Sequence, residues 1–239
     1  MTARDRYVDL LMGCLTREIF LDHENVAPDI RAEGRDWPAT AETMVGRRRL
    51  DNVRHAVEIV LAEGVPGDLI ETGVWRGGVT ILMRGILDAW EDPDRRVWVA
   101  DSFQGLPTPN VEDYPEDEGH DLSGVTALKV SADQVRANFD RYGLLDDRVC
   151  FLEGWFADTL APAPIDAIAV LRLDGDLYES TVDALVALYH KVSPGGFVIV
   201  DDYGAWEPCR KAVQDFRAEH RITDEIHEVD WTGVYWRKS

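Results

Sequence analysis

The sequence predicts an α/β fold: a mostly parallel, doubly wound sheet that ends in an antiparallel hairpin and is preceded by a helical extension. Three observations carry this. From residue 66 onward the chain shows short apolar runs that end in small or acidic residues, a helical stretch follows each run, and two short extended segments flank a final turn. Length agrees, because 239 residues fit one α/β domain with an elaboration and leave a second full domain cramped. The expected division is an N-terminal helical extension and lid over 1–64 and the sheet core over 65–239.

The elements follow in order. Tyr7, Leu10, Leu11, Cys14, Leu15 and Ile19 recur at spacings of three and four, which predicts an amphipathic first helix. A polar loop is expected over 22–38, and a second helical face over 40–63, marked by Met44, Val45, Leu50, Val53, Val57, Val60 and Leu61. The basic run Arg47-Arg48-Arg49 inside it reads as a solvated face. Strands are expected at 69–71, 97–100, 149–152, 167–173 and 197–200, with helices at 79–90, 132–142, 180–190 and 207–220. Strands covered by helices on both faces should be almost continuously apolar, as Ala167 to Leu171 and Phe197 to Val200 are. Segments 225–229 and 234–236 flank the turn Asp230-Trp231-Thr232-Gly233 and predict the closing hairpin. A parallel sheet with such an ending points to the Rossmann-like sheet of class I methyltransferases rather than to dinucleotide dehydrogenases.

Composition excludes several functions. Forty-five acidic residues against twenty-five basic ones give a net charge of -20, a field that repels phosphate backbones and anionic lipid. Nucleic acid and membrane are therefore not expected partners. Divalent cations and a cationic cofactor suit that field, although solubility alone also explains it. Cys14, Cys150 and Cys209 are widely spaced and form no paired motif, so neither a disulfide framework nor a thiolate zinc site is expected. Charges at Arg4, Asp5, Arg6, Asp9, Arg17 and Glu18 exclude a secretory leader over 1–20, and no apolar run reaches membrane-spanning length, so a cytoplasmic enzyme is expected.

Chemistry gathers at the strand ends. After the first strand comes Glu71-Thr72-Gly73-Val74-Trp75-Arg76-Gly77-Gly78, a glycine turn whose spacing is not that of pyrophosphate binders. Glu71 is placed to face a cofactor ammonium. The second strand ends in Asp101-Ser102-Phe103, where a carboxylate can accept from a ribose diol or simply cap the next turn. The third ends in Glu153-Gly154-Trp155-Phe156, whose aromatics either flank an adenine or belong to the core. The fourth and fifth lead into Asp174-Gly175-Asp176 and Asp201-Asp202-Tyr203. Neighbouring parallel strands lie about 5 Å apart, so these carboxylates should crowd one small volume. A hard divalent ion such as Mg²⁺ would relieve that crowding and help to activate a hydroxyl toward a sulfonium methyl group.

Together these motifs, with Thr43-Met44-Val45-Gly46 and Ser193-Pro194-Gly195-Gly196, resemble the macrocin O-methyltransferase family over nearly the whole chain. The resemblance implies S-adenosylmethionine as cofactor and a deoxysugar hydroxyl of a macrolide or aminocoumarin antibiotic as acceptor. It implies metal ligation by Asp174, Asp201 and Asp202, with Asp174 also the base and touching the cofactor, and Asp176 as their neighbour. It places Asp101 at the ribose, Glu71 and Gly73 at the methionine moiety, and Thr43 and Met44 in a lid; Ser102 beside Asp101, and Gly154 and Trp155 at the third strand end, are the further candidate cofactor contacts. The acidic loop over 107–124 would be a mobile segment that closes over the sugar. The expected partners are a small glycosylated substrate and further copies of the chain in a homo-oligomer. Two other readings remain at this stage: a metal-independent methyltransferase with a histidine base, His120 being the candidate, and a non-catalytic adenosine-ligand sensor.

Overall fold

The computed structural model describes residues 1–23 and 26–239, so residues 24 and 25 of the expected polar loop lie outside the described ones. In chain order the elements are α1 (Ala3–Leu15), α2 (Pro28–Ala32), α3 (Arg47–Glu63), β1 (Asp68–Thr72), α4 (Gly78–Ala89), β2 (Val97–Asp101) and α5 (Ala132–Arg141). There follow β3 (Val149–Glu153), α6 (Phe156–Thr159), β4 (Ile168–Leu173), α7 (Tyr178–Leu188), β5 (Val192–Val200), α8 (Glu207–Glu219), β6 (His227–Glu228) and β7 (Val234–Arg237). Seven strands form one sheet in the order β3-β2-β1-β4-β5-β7-β6. The first five are parallel, and β7 runs antiparallel to both β5 and β6. The predicted architecture is therefore present.

Successive strand residues feed opposite faces. Leu69, Val97, Val99, Phe197 and Ile199 join a core with α1, α3, α4 and α5, whereas Ile70, Trp98, Ala100, Val198 and Val200 join one with α7 and α8. The N-terminal helices share the first of these cores: Val8, Leu11, Met12 and Leu15 of α1 and Leu50, Val53, Val57 and Val60 of α3 are buried in it.

Local chemistry moved several boundaries. Helix α1 stops at Leu15 because Thr16 turns its hydroxyl back to Met12 O and Arg17 takes a left-handed φ of 61°, so Ile19 leaves the apolar face. The second helical face starts at residue 47 rather than 40. Gly46 is its N-cap, and Thr43 to Val45 run as irregular backbone. The polar loop contains α2, whose buried Arg31 binds Asp36 and the Thr16 carbonyl. Strand β5 begins five residues before the expected start at 197. A register shift opposite β4 takes up the extra residues, while Gly195 N and Gly196 O pair with Lys238. A Pro-Gly-Gly sequence that reads as a turn is thus carried as an irregular strand entry.

The glycine turn rests on Phe139 of α5, which is fully buried, stands edge-on to Phe151 at 6.3 Å and lies 3.6 Å from where a Cβ on Gly77 would sit. Phe139→Ala is expected to lower unfolding free energy by about 3–5 kcal/mol through cavity formation. Urea titration checks this, and a loss under about 1 kcal/mol would show that the site collapses freely.

Candidate active site

The strand register aligns the chemistry along one sheet edge. Gly73 N donates to Ala100 O at 2.8 Å, Asp174 N to Thr72 O at 2.9 Å, Asp201 N to Leu173 O at 2.9 Å and Gly154 N to Asp101 O at 3.0 Å. Each ladder therefore runs one residue past its strand and sets Gly73, Asp174 and Asp201 side by side. Gly73 has a φ of 86°, and a Cβ there would lie 1.8 Å from the Asp174 carbonyl oxygen, so only glycine permits the approach of β1 and β4. Between these strands the chain order reverses, which in open parallel sheets is where ligand crevices form.

A cavity of about 510 Å³ opens there. Its lining includes the predicted Thr43, Met44, Glu71, Gly73, Asp101, Ser102, Trp155, Asp174, Asp176, Asp201 and Asp202. Gly154 does not line it; its backbone anchors β3 to β2 instead. Trp155 is 39% exposed and faces the cavity, so it is not core. Asp101 does cap turns: one oxygen accepts from Val74 N at 2.8 Å and the other from Phe103 N at 2.7 Å. That pins its carboxylate between the glycine turn and the end of β2 while leaving each oxygen a further lone pair. Ser102 is engaged within its own turn, donating to Gly105 O at 2.7 Å and accepting from Gln104 N at 3.0 Å.

The floor is a buried ionic cluster. Arg172, wholly buried in β4, binds Glu71, Asp174 at 2.8 Å and one oxygen of Asp201. Arg49 binds the other oxygen of Asp201 and also Asp230 at 3.0 Å. Asp202 accepts from Asp176 N at 3.2 Å, and Asp176 itself holds a left-handed φ of 57°. Asp174, Asp201 and Asp202 each bring an oxygen to within 4.8 Å of the others, a donor set able to hold a hard cation. Glu71 Oε2 is buried with no hydrogen-bond partner, an open acceptor beside the glycine turn.

The solvated reading of the basic run fails at Arg49. Arg48 is largely exposed, and Arg47 meets Asp9, Glu18 and Asp51, but Arg49 lies in the acid cluster. Arg172 also went unrecognised, although a lone arginine in an otherwise apolar strand signals buried carboxylate partners. No histidine lines the cavity among the described residues. His120 instead sets its ring edge-on to Trp206 at 5.7 Å. The loop over 107–124, expected to be mobile, is fastened at Asp117, which is fully buried and accepts from Tyr178 N at 2.7 Å and Glu179 N at 3.1 Å. The irregular segment before α3 is fastened too. Arg76 donates to Pro38 O and Ala41 O, and Gly78 N donates to Glu42 O at 3.0 Å.

Residues 11–238 match the family model described as Macrocin-O-methyltransferase (TylF). A tetracenomycin-type 4'-O-methyltransferase acting on a dimethoxyrhamnosyl compound, from Streptomyces olivaceus, is 55% identical across 98% of this chain and 93% of its own. Demethyldecarbamoylnovobiocin O-methyltransferase of Streptomyces niveus is 52% identical across 98% of this chain and 93% of its own. The solved O-methyltransferase NovP superposes with a TM-score of 0.96 at 52% identity, covering 99% of both chains. An O-methyltransferase from Bacillus cereus bound to SAH shares the fold at 13% identity, with a TM-score of 0.52.

Burial and then the charges of Asp174 and Asp201 push Asp176 up to about 8, and burial pushes Glu71 up to about 8 against the pull of Arg172. Asp202 rises well above the carboxylate range, chiefly through burial and then the neighbouring Asp176. In the unfolded chain such groups titrate near about 4. Between there and about 8 the folded state therefore holds protons that the unfolded state has released, and stability falls as pH rises. Without divalent cations, Tm should decline steadily from about pH 5 to about pH 8, and Asp176→Asn should flatten the decline. Thermal unfolding in chelated buffers measures this; a Tm that climbs with pH over that window contradicts it.

Proposed function

The chain belongs to the macrocin-O-methyltransferase family, and from that premise we propose that it transfers methyl from S-adenosylmethionine to a sugar hydroxyl of a glycosylated natural product, a macrolide or related antibiotic, with Mg²⁺ at the aspartate cluster. The observation that carries the reading is the convergence of Asp174, Asp201 and Asp202 beside the Glu71–Gly73 turn, in a cavity where carboxylates and Arg49 are the charged groups. Since the family is one of enzymes, a non-catalytic sensor loses its ground. The histidine-base alternative has no histidine lining the cavity among the described residues.

The cofactor fits the residues present. Once a cation draws off its proton, the unpartnered Glu71 Oε2 offers the methionine ammonium a buried acceptor, and Asp101, fixed by two backbone amides, offers a ribose diol its remaining lone pairs. Trp155 supplies an aromatic face for the adenine, while Thr43 and Met44 cover the methionine moiety. A metal also fits: six carboxyls (Glu71, Asp174, Asp176, Asp201, Asp202 and Asp230) face only two guanidiniums, so the donor set is under-neutralised. Mg²⁺ held by Asp174, Asp201 and Asp202 would compensate that charge and act as a Lewis acid toward the acceptor hydroxyl.

In the transfer, a lone pair on the acceptor oxygen attacks the sulfonium methyl carbon, the carbon–sulfur bond breaks toward sulfur, and the hydroxyl proton passes to a carboxylate. Asp174 is assigned as that base. Of the three carboxylates that converge as a donor set it is the one that stays partly open, at 26% side-chain exposure, while Arg172 at 2.8 Å holds its other edge in place. Burial and the Asp201 charge raise its proton affinity above that of an ordinary carboxylate, in the direction a general base needs.

Asp174→Asn should lower turnover by about 10²–10⁴ while calorimetric affinity for S-adenosylmethionine stays close to that of wild type. Dialysis against a chelator should silence the wild-type protein and Mg²⁺ should restore it, assayed on glycosylated macrolides and related aglycones. Undiminished turnover after chelation would remove the metal from the reading, and an active Asp174→Asn protein would remove the base.

A further inference from the structure

We propose that Asp117 is a positioning residue for the transfer: from inside an otherwise solvated acidic loop it caps α7 and clamps the acceptor-side wall of the cavity to the turn that carries Asp174 and Asp176. The inference rests on the functional reading above for what that wall holds, and on geometry for the clamp itself.

Helix α7 begins at Tyr178, directly after that turn, and its own N-cap residue, Leu177, supplies no side-chain acceptor. The first amides of a helix need partners from elsewhere. Both oxygens of Asp117 provide them, to Tyr178 N at 2.7 Å and to Glu179 N at 3.1 Å, and a carboxylate at a helix N-terminus also meets the positive end of the helix dipole. The burial is selective. Asp113, Glu118 and Asp121 of the same loop are exposed, whereas Asp117 has no accessible surface.

Two ring contacts flank the clamp, Tyr114 against Tyr178 at 6.1 Å and His120 against Trp206 at 5.7 Å. Pro107, Thr108 and Asn110 before Asp117, and Leu122 after it, line the cavity. On the other side of the cap, Glu179, Ser180 and Asp183 of α7 line it as well. One side chain therefore joins two walls of the cavity, neither of which belongs to the glycine turn where the cofactor is proposed to sit. Releasing it should loosen the acceptor's seat and the carboxylate turn together, and leave the cofactor's seat intact.

The test uses the full chain with Asp117→Ala and Asp117→Asn. In hydrogen exchange, Asp117→Ala should lose protection across 105–124 and at the Tyr178 and Glu179 amides. Its acceptor KM should rise about threefold to tenfold with a fall in kcat, while cofactor affinity stays within about twofold. Asp117→Asn, whose amide oxygen can serve one of the two amides, should fall between the alanine variant and wild type on every readout, and it keeps the comparison available should the alanine variant fold poorly. A lower Tm with unchanged loop protection and unchanged acceptor KM would mean that Asp117 only stabilises the helix, and would overturn the proposal. If wild type methylates no glycoside, the substrate reading fails, and the exchange pattern still decides the clamp.

Discussion

Arg172 is the constraint around which the site is organised. A guanidinium inside the fourth strand of the sheet, with no accessible surface, is tolerable only when paired, and its partners come from three different strand ends: Glu71 near the end of β1, Asp174 after β4 and Asp201 after β5. Those bonds hold the carboxylates in register beneath the cavity. They also leave the cluster short of positive charge, since Asp176 and Asp202, joined by the Asp176 N bond to Asp202, lie close by with no guanidinium bonded to them among the described residues. A binding site for cationic groups follows from that deficit. Under the proposed function, a sulfonium, an ammonium and a divalent cation each meet carboxyls already held in place by Arg172 and Arg49, and their charge draws off the protons that Glu71, Asp176 and Asp202 keep while the cluster is short of cations.

The backbone carries part of the same burden. Trp75, Phe103 and Asp176 are non-glycine residues with left-handed φ values of 48°, 56° and 57°, and all three sit in the turns that leave β1, β2 and β4 at the cavity. Such conformations cost free energy and persist only where the surroundings over-determine them. Here they are held by Trp75 Nε1 on Ala127 O at 2.8 Å, by Phe103 N on Asp101 and by Asp176 N on Asp202. Backbone strain and hydrogen bonding therefore meet in the turns from which the cavity's side chains converge.

Sequence reasoning recovered what periodicity and strand-end chemistry encode. The five parallel strands, the hairpin and the aspartates at the ends of β4 and β5 could all be read because apolar runs and the residues ending them are local signals. Partnership across the fold was less visible. Arg49 belongs to a basic run that looks solvated until α3 is packed against the sheet, and only then does it reach Asp201 and Asp230. Asp117 is one acid among many in its loop, and nothing nearby in sequence marks it as the residue that docks on α7. Helical spacing also overreached at Met44 and Val45. Met44 is only partly buried and Val45 joins the first core, and both line the cavity from irregular backbone ahead of α3.

The N-terminal segment is consequently part of the site rather than an appendage to it. Arg49 reaches from α3 to Asp201 at the sheet edge and to Asp230 in the hairpin turn, and it also touches Gly34 O at 3.3 Å. Arg76 works in the opposite direction, from the glycine turn out to Pro38 O and Ala41 O. Glu42 closes the circuit: its carbonyl accepts from Gly78 N, and its buried carboxylate accepts from the Tyr142 hydroxyl at 2.9 Å. A Cβ on Gly78 would lie 2.7 Å from both Glu42 O and Thr43 Cβ, so that glycine is what lets the segment lie flat against α4. With charged contacts running both ways, displacing the segment would strip Asp201 of one of its two guanidiniums. The cover of the cavity and the charge balance of its floor therefore change together, because a single arginine serves both.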